Sequence, residues 1–360
     1  MIVLDKLKTY NYFFKAQLTL GFLLCFNGCG QQKHISQITG ESMGTTFSIK
    51  IAQNMNETTI HSLENGIDSV LHQINKQMST WDPKSEISMF NQWQSIKPYP
   101  VSFPIITVID TAILISKKTQ GLFDVTVYDL MSLWGFGPNP KKGMPSISEV
   151  DRVLSSTGYS KIKIINNTLK KNHPLVKIDL NAIAKGYAVD QVFKYIQDKG
   201  FDNIFVEIGG EVRSSGRNSQ NDYWSIGIEN PYGGEKSDKQ IAAIVDLDNN
   251  SVATSGNYRN IVNINGDILG HTINPRTGYP IQTNILSVTV VTRSSMIADG
   301  WATALMTMDY KEGLEIINKE DGVEAIWIVL NKDGTRSMGL SAGAMMREPI
   351  YDLKQQLNLN

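Results

Sequence analysis

Along residues 45–340 the apolar residues switch repeatedly between a period of two and a period near 3.6, which restricts the chain to folds that mix strands with helices. Residues 45–51 alternate as a half-buried strand does. Residues 58–78 put Ile60, Leu63, Ile67, Val70, Leu71 and Ile74 on one helical face. Further helices are expected at 105–119, 184–200, 296–308 and 311–319. Further strands are expected at 161–165, 175–180, 203–208, 224–229, 242–247, 251–254, 285–291, 322–330 and 338–340. Residues 130–145, rich in Gly, Pro and aromatic side chains, read as irregular, with a weak boundary at 138–148. No short fixed repeat runs through the chain. The pattern is a mixed body, α+β or α/β.

The first residues obey a different logic. Lys6, Lys8 and Lys15 precede an apolar run at 18–26, the length of a signal-peptide core and too short to span a bilayer. It runs into Leu24-Cys25-Phe26-Asn27-Gly28-Cys29, which resembles a bacterial lipobox with Cys29 as the lipidated residue. An ordinary secretory signal or an uncleaved anchor is the alternative. The expected division is a signal peptide at 1–28, a lipidated tether at 29–37, a folded domain at 38–346 and a tail at 347–360. Localisation follows as a lipid anchor on the periplasmic face of the inner membrane. The chain's two cysteines both fall in this leader. The body therefore has no thiol nucleophile, thiolate ligand or disulfide. With 34 basic and 35 acidic residues it also lacks the basic excess of a non-specific nucleic-acid binder.

Several polar clusters interrupt this framework. Asp299 and Thr303 are four residues apart at a helix start, on one face, where a carboxylate and a hydroxyl can share a hard cation. Two solvated surface residues are the plain alternative. Residues 178–190 read as strand end, tight turn and helix start. Asp179 sits at the strand's carboxyl edge, and Lys185 with the helix N-terminus favours a phosphate. A capped strand–helix junction would look the same. Gly209-Gly210-Glu211 suits close ligand approach or an ordinary turn. In the turn-rich run 271–280, His271 can act as a base and Arg276 as a phosphate fork, or the run is a structural loop. Ser255-Gly256-Asn257-Tyr258-Arg259 is a polar turn facing the same way. Met43 and Trp81 can sandwich a flat ring or pack in the core, and Asp124 is the one charge in an otherwise strand-like run.

Taken in order, these segments resemble the ApbE family, the FAD:protein FMN transferases. The carriers are Met-Gly-Thr-Thr at 43–46, Met-Ser-Thr-Trp and Ser-Glu-Ile-Ser within 78–88, and Phe-Asp-Val-Thr at 123–126. They continue with residues 179–190, Gly-Gly-Glu at 209–211, Ser-Gly at 255–256, residues 271–280 and Ala-Asp-Gly-Trp-Ala-Thr-Ala at 298–304. The resemblance implies a two-lobed, T-fold-like body with FAD in the cleft between lobes. It implies Mg²⁺ held by the Ala182 carbonyl, Asp299 and Thr303, and FAD contacts from Met43, Trp81, Leu122, Phe123, Asp124, Asp179, Lys185 and Ile273. It implies transfer of FMN from FAD to a threonine of a target protein as a phosphoester, with release of AMP. The implied targets are flavin-carrying subunits of Na⁺-translocating NADH:quinone reductase or Rnf-type membrane complexes. His271 is our candidate for the group that deprotonates the threonine, with an Asp as the alternative. Trp81 stands where many relatives carry Tyr, and Lys185 where some are acidic. Hydrolysis of FAD to FMN and AMP, or passive FAD binding by a lipoprotein, would use overlapping residues.

Overall fold

The computed structural model describes residues 34–231, 241–256, 261–264 and 267–347. The expected signal segment, Cys29, most of the tether, the tail beyond 347 and Asn257, Tyr258 and Arg259 lie outside them.

Strands β1 (Ser36–Ser42) and β2 (Thr45–Ile51) form a hairpin with Ser42 opposite Thr45. Both turn residues, Met43 and Gly44, have positive φ (54° and 72°), as a two-residue type I′ turn requires. Ser36 and Gln37 already pair with Ile51 and Lys50, so pairing starts two residues before the expected start at 38. Helix α1 (Glu57–Met78) is capped by Asn56 and buries Leu63, Ile67, Leu71 and Ile74. Helix α2 (Glu86–Gln92), strand β3 (Tyr99–Pro100) and helix α3 (Phe103–Lys118) follow.

Two short helices correct the irregular reading of the next stretch: α4 (Tyr128–Leu133) overlaps it, and α5 (Ile147–Leu154) follows it. The second was visible in principle, because Ser146 and Glu149 form a capping box. Strands β4 (Ile162–Ile165) and β5 (Thr168–Lys171) complete a three-stranded sheet, β3-β5-β4. Residues 175–180 are not a strand. The Asn91 side chain takes the place of a neighbouring strand: its Nδ2 donates to the Ile178 carbonyl (2.8 Å) and its Oδ1 accepts from the Ile178 amide (2.7 Å).

After helix α6 (Ala184–Asp198) come β6 (Ile204–Ile208), β7 (Glu211–Ser215), β8 (Trp224–Glu229), β9 (Ile241–Leu247), β10 (Ser251–Gly256), β11 (Ile261–Ile264) and β12 (Asp267–Gly270). Strand β13 (Ile285–Thr292), helices α7 (Ser295–Met306) and α8 (Tyr310–Ile317), and strands β14 (Glu324–Leu330) and β15 (Arg336–Leu340) finish the chain.

The main sheet has eight antiparallel strands ordered β1-β2-β6-β7-β10-β13-β14-β15. Its two four-stranded halves meet through a short ladder, Ser251 opposite Arg213 and Val252 opposite Val212. Both faces are covered. Ala325, Trp327 and Val329 of β14 join the helix-side core, while Ile326 and Ile328 join a second core under the β8–β9 ribbon. Double burial explains why this strand is apolar without alternation.

Candidate functional site

A cavity of about 1070 Å³ opens at the ends of the central strands, where α6, α7 and the loops after α1 and α3 converge. Met43, Trp81, Leu122, Phe123, Asp124, Asp179, Ala182, Lys185, His271, Ile273, Asp299 and Thr303 all line it. Segments far apart in sequence thus share one wall.

Three connections build one part of the wall. Met43 is presented by the β1–β2 turn, in a backbone region that costs a non-glycine residue about 1–2 kcal/mol. Leu122 and Phe123 are buried beneath, and Trp81 is 64% exposed at the mouth. Asp124 is locked among donors: Oδ1 accepts from the Thr126 amide (2.7 Å) and hydroxyl (2.6 Å), and Oδ2 from the Tyr159 amide (2.5 Å). Asp179 accepts from the Asn181 amide at 2.8 Å. The wall at 271–280 is stiff: Ile273 bridges Pro280, the Asn274 amide donates to the Tyr279 carbonyl, and Trp134 Nε1 donates to the Gly278 carbonyl at 2.7 Å. His271 lies there, its ring 6.4 Å from that of Phe136. Arg276, the other candidate in this run, is exposed and does not line the cavity.

A cluster of charged groups lies where α6 meets α7. A Cβ on Gly186 would sit 2.2 Å from the Ser295 carbonyl oxygen and 2.8 Å from Asp299 Cβ, so the helices touch here only because the residue is glycine. The contact lets the Gly186 amide donate to Asp299 Oδ2 at 3.0 Å. Asp299 Oδ1 lies 4.0 Å from Lys185 Nζ, which also pairs with Glu211 Oε1 at 2.5 Å. Glu211 Oε2 is buried with no hydrogen-bond partner. One turn along α7, Thr303 Oγ1 is 3.3 Å from Ser255 Oγ. A second carboxylate fixes this helix from behind. Asp190 of α6 accepts from the Ser294 hydroxyl (2.7 Å) and the Ser295 (3.0 Å) and Met296 (3.1 Å) amides, and pairs with Arg213 (2.6 Å). It satisfies donors that the start of α7 would otherwise leave open.

Four carboxyls in the cavity wall are pushed above their ordinary values, in each case first by burial. Neighbouring donors oppose this for Asp124 and Asp179. Lys185 and the Gly186 amide oppose it for Asp299. Glu211 is raised to about 7, with Lys185 lowering it and the Asp299 charge raising it further. Burial disfavours the Lys185 ammonium, but Asp299 and Glu211 outweigh it and raise its pKa. Such a group of strained charges in a cleft marks a ligand site.

The donor set suits a hard cation through oxygen: one carboxylate, one hydroxyl and a nearby backbone carbonyl. Among the described residues no group of three or more His, Cys, Asp or Glu could hold a metal. A cation here would depend on oxygens from a bound phosphate, as Mg²⁺ often does. The structural fit is Glu211 Oε2, a buried carboxylate oxygen in the cavity wall with no hydrogen-bond partner for a cation to replace. Glu211 and Asp190 were not assigned roles from the sequence. Both lie in runs singled out there, but neither local pattern reveals a long-range partner on another element.

The sequence model of the ApbE family matches residues 43–327. A Vibrio cholerae protein named FAD:protein FMN transferase is 38% identical over 326 residues, covering 90% of this chain and 96% of its own. A Haemophilus influenzae protein of the same name is 34% identical over 324 residues, covering 88% and 92%. The solved structure of the V. cholerae flavin transferase ApbE superposes with a TM-score of 0.77 at 37% identity, covering 86% of this chain and 97% of that one.

Proposed function

The chain belongs to the ApbE family, and from that premise we infer that it is an FAD:protein FMN transferase, moving the FMN half of FAD onto a target protein. The observation that carries this reading to the residues is the large cavity they share. It gathers the apolar groups Met43, Trp81, Leu122 and Phe123 and the polar groups Lys185, Asp299 and Thr303 in one wall. That mixed lining suits an isoalloxazine ring against Met43 and Trp81 and a pyrophosphate beside the α6–α7 contact.

The finer chemistry is our proposal. Asp299, Thr303 and the Ala182 carbonyl would hold Mg²⁺, which supplies charge neutralisation on the pyrophosphate. Lys185 adds a fixed positive charge beside them. A threonine hydroxyl of the target attacks the phosphorus on the FMN side. The new P–O bond forms as the bond to the AMP phosphate breaks, and AMP leaves with that electron pair. The hydroxyl proton passes to a base in the cleft, for which His271 is our candidate. The targets would be flavin-carrying subunits of membrane redox complexes such as Na⁺-translocating NADH:quinone reductase or the Rnf type. A lipid on Cys29 would hold the enzyme beside them at the periplasmic face. No helix among the described residues is long and apolar enough to cross a membrane.

The test is incubation of the chain from residue 31 onward with FAD, Mg²⁺ and such a subunit. In-gel flavin fluorescence and intact mass report the product. A mass gain equal to FMN is expected, lost on chelation and reduced at least about 100-fold in Asp299→Ala while FAD still binds. AMP and free FMN with no labelled protein would instead make the enzyme an FAD pyrophosphatase. FAD that binds and stays intact would leave only a carrier.

A further inference from the structure

A second, smaller cavity of about 410 Å³ adjoins the first. The two share Thr307, and the stiff 271–280 run divides them, with Pro275 facing the large cavity and Asn274 the small one. Thr307 is the residue after α7 and lies four positions past Thr303. Residues at this spacing share a helix face and differ by about 6 Å along the axis. The small cavity therefore starts about one helical turn from the candidate phosphoryl centre.

Its lining is polar and almost uncharged. Thr277, Gln282, Thr283 and Asn284 supply hydroxyls and amides, beside Tyr279 and Met308. The one charged group, Asp309, is engaged as the cap of α8, accepting from the Glu312 amide at 2.9 Å. No lysine or arginine lines the cavity, so it lacks the cationic groups that hold a phosphate most strongly. The large cavity is already at the upper end of small-molecule sites and leaves no part of FAD in need of a second chamber. The reaction does require a second substrate, and it is a polypeptide. Its hydroxyl must reach the α7 face that carries Asp299 and Thr303. Neutral hydroxyl and amide side chains along the loop at 281–284 match the hydrogen-bonding groups of a peptide main chain.

We propose that this polar groove seats the acceptor segment of the protein substrate, held extended and entering the cleft from the C-terminal end of α7. The proposal rests on the FMN-transfer reading above. The segment that fits is uncharged, with small polar residues around the acceptor hydroxyl.

Gln282 is exposed and belongs to no part of the FAD or metal machinery, so Gln282→Trp fills the groove without touching the cleft. Initial FMN-transfer rates would be measured against concentration of a recombinant flavin-carrying subunit of Na⁺-translocating NADH:quinone reductase. Gln282→Trp is expected to raise KM for that protein about tenfold or more. FAD affinity and slow FAD cleavage by water should stay at wild-type values. Gln282→Ala, which leaves the groove open, should stay within about twofold and guards against a folding artefact. An unchanged KM in Gln282→Trp, with wild type labelling the subunit, overturns the groove but not the transferase. The same result with a changed sedimentation mass assigns the groove to a second copy of the chain and also overturns the proposal. Failure of wild type to label the subunit while cleaving FAD overturns both.

Discussion

Met43 is the residue at which function and stability pull apart most plainly. Its side chain reaches the cavity from a turn position that favours glycine. Met43→Gly relieves the left-handed backbone but adds the entropy of glycine and removes a side chain packed against the core, so stability without FAD is expected to change by less than about 1 kcal/mol. FAD affinity should fall several-fold as the thioether wall is lost. Thermal unfolding with and without FAD checks both, and a loss above about 2 kcal/mol without ligand would remove the strain argument. The sequence exposed Met43 as a member of a motif. It did not expose the type I′ turn, because Met-Gly is not among the pairs that announce one. Glu211 was obscured for a similar reason. A glycine pair before an acid reads as a turn, and nothing local says that the carboxylate points inward toward Lys185.

At the scale of elements, the site is the contact between α6 and α7. Gly186 allows the contact, its amide orients Asp299, and Asp190 holds the start of the opposing helix. Gly186→Ala meets backbone rather than a yielding side chain, so α7 must move. We expect a loss of about 1–3 kcal/mol or more and a transfer rate that falls further than stability alone explains. A rate loss that vanished whenever the variant was fully folded would show that the contact only supports the fold. Both helices were legible from their periodicity, and the shared face of Asp299 and Thr303 from their spacing. Their apposition was not, because Asp190 and Ser294 are far apart in the chain. The expected strand at 175–180 failed for a related reason. Its apolar pattern is real, but Asn91 occupies the hydrogen bonds that a neighbouring strand would have taken.

For the whole molecule, four buried carboxyls in one cavity give the FAD-free protein a pH signature. A carboxyl with a raised folded pKa binds its proton more tightly in the native state, so unfolding releases protons between the unfolded and folded values. Stability then falls as pH rises through that window. For Glu211 the window runs from 4.5 to about 7, and Asp124, Asp179 and Asp299 act in the same direction. Lys185 is raised as well, from 10.5, so it contributes no slope in this range. Scanning calorimetry of the metal-free, FAD-free protein should show a midpoint that drops between pH 5 and pH 7, with a shallower drop in Glu211→Gln. An identical slope in that variant would remove Glu211 from the account. The strand order of the main sheet has a consequence for how the chain is made. Read across the sheet, the strands never go back in sequence: each pairs with one already synthesised and leaves its other edge for the next. A chain emerging N-terminus first, from a ribosome or a translocation channel, can lay the sheet down as it arrives, without threading a late strand between early ones. The helix bearing Asp299 and Thr303 comes near the end of that process. A nascent chain can therefore build the Met43, Leu122 and Phe123 part of the cavity wall early, but it gains no Lys185–Asp299 pair until nearly all of the domain has been delivered.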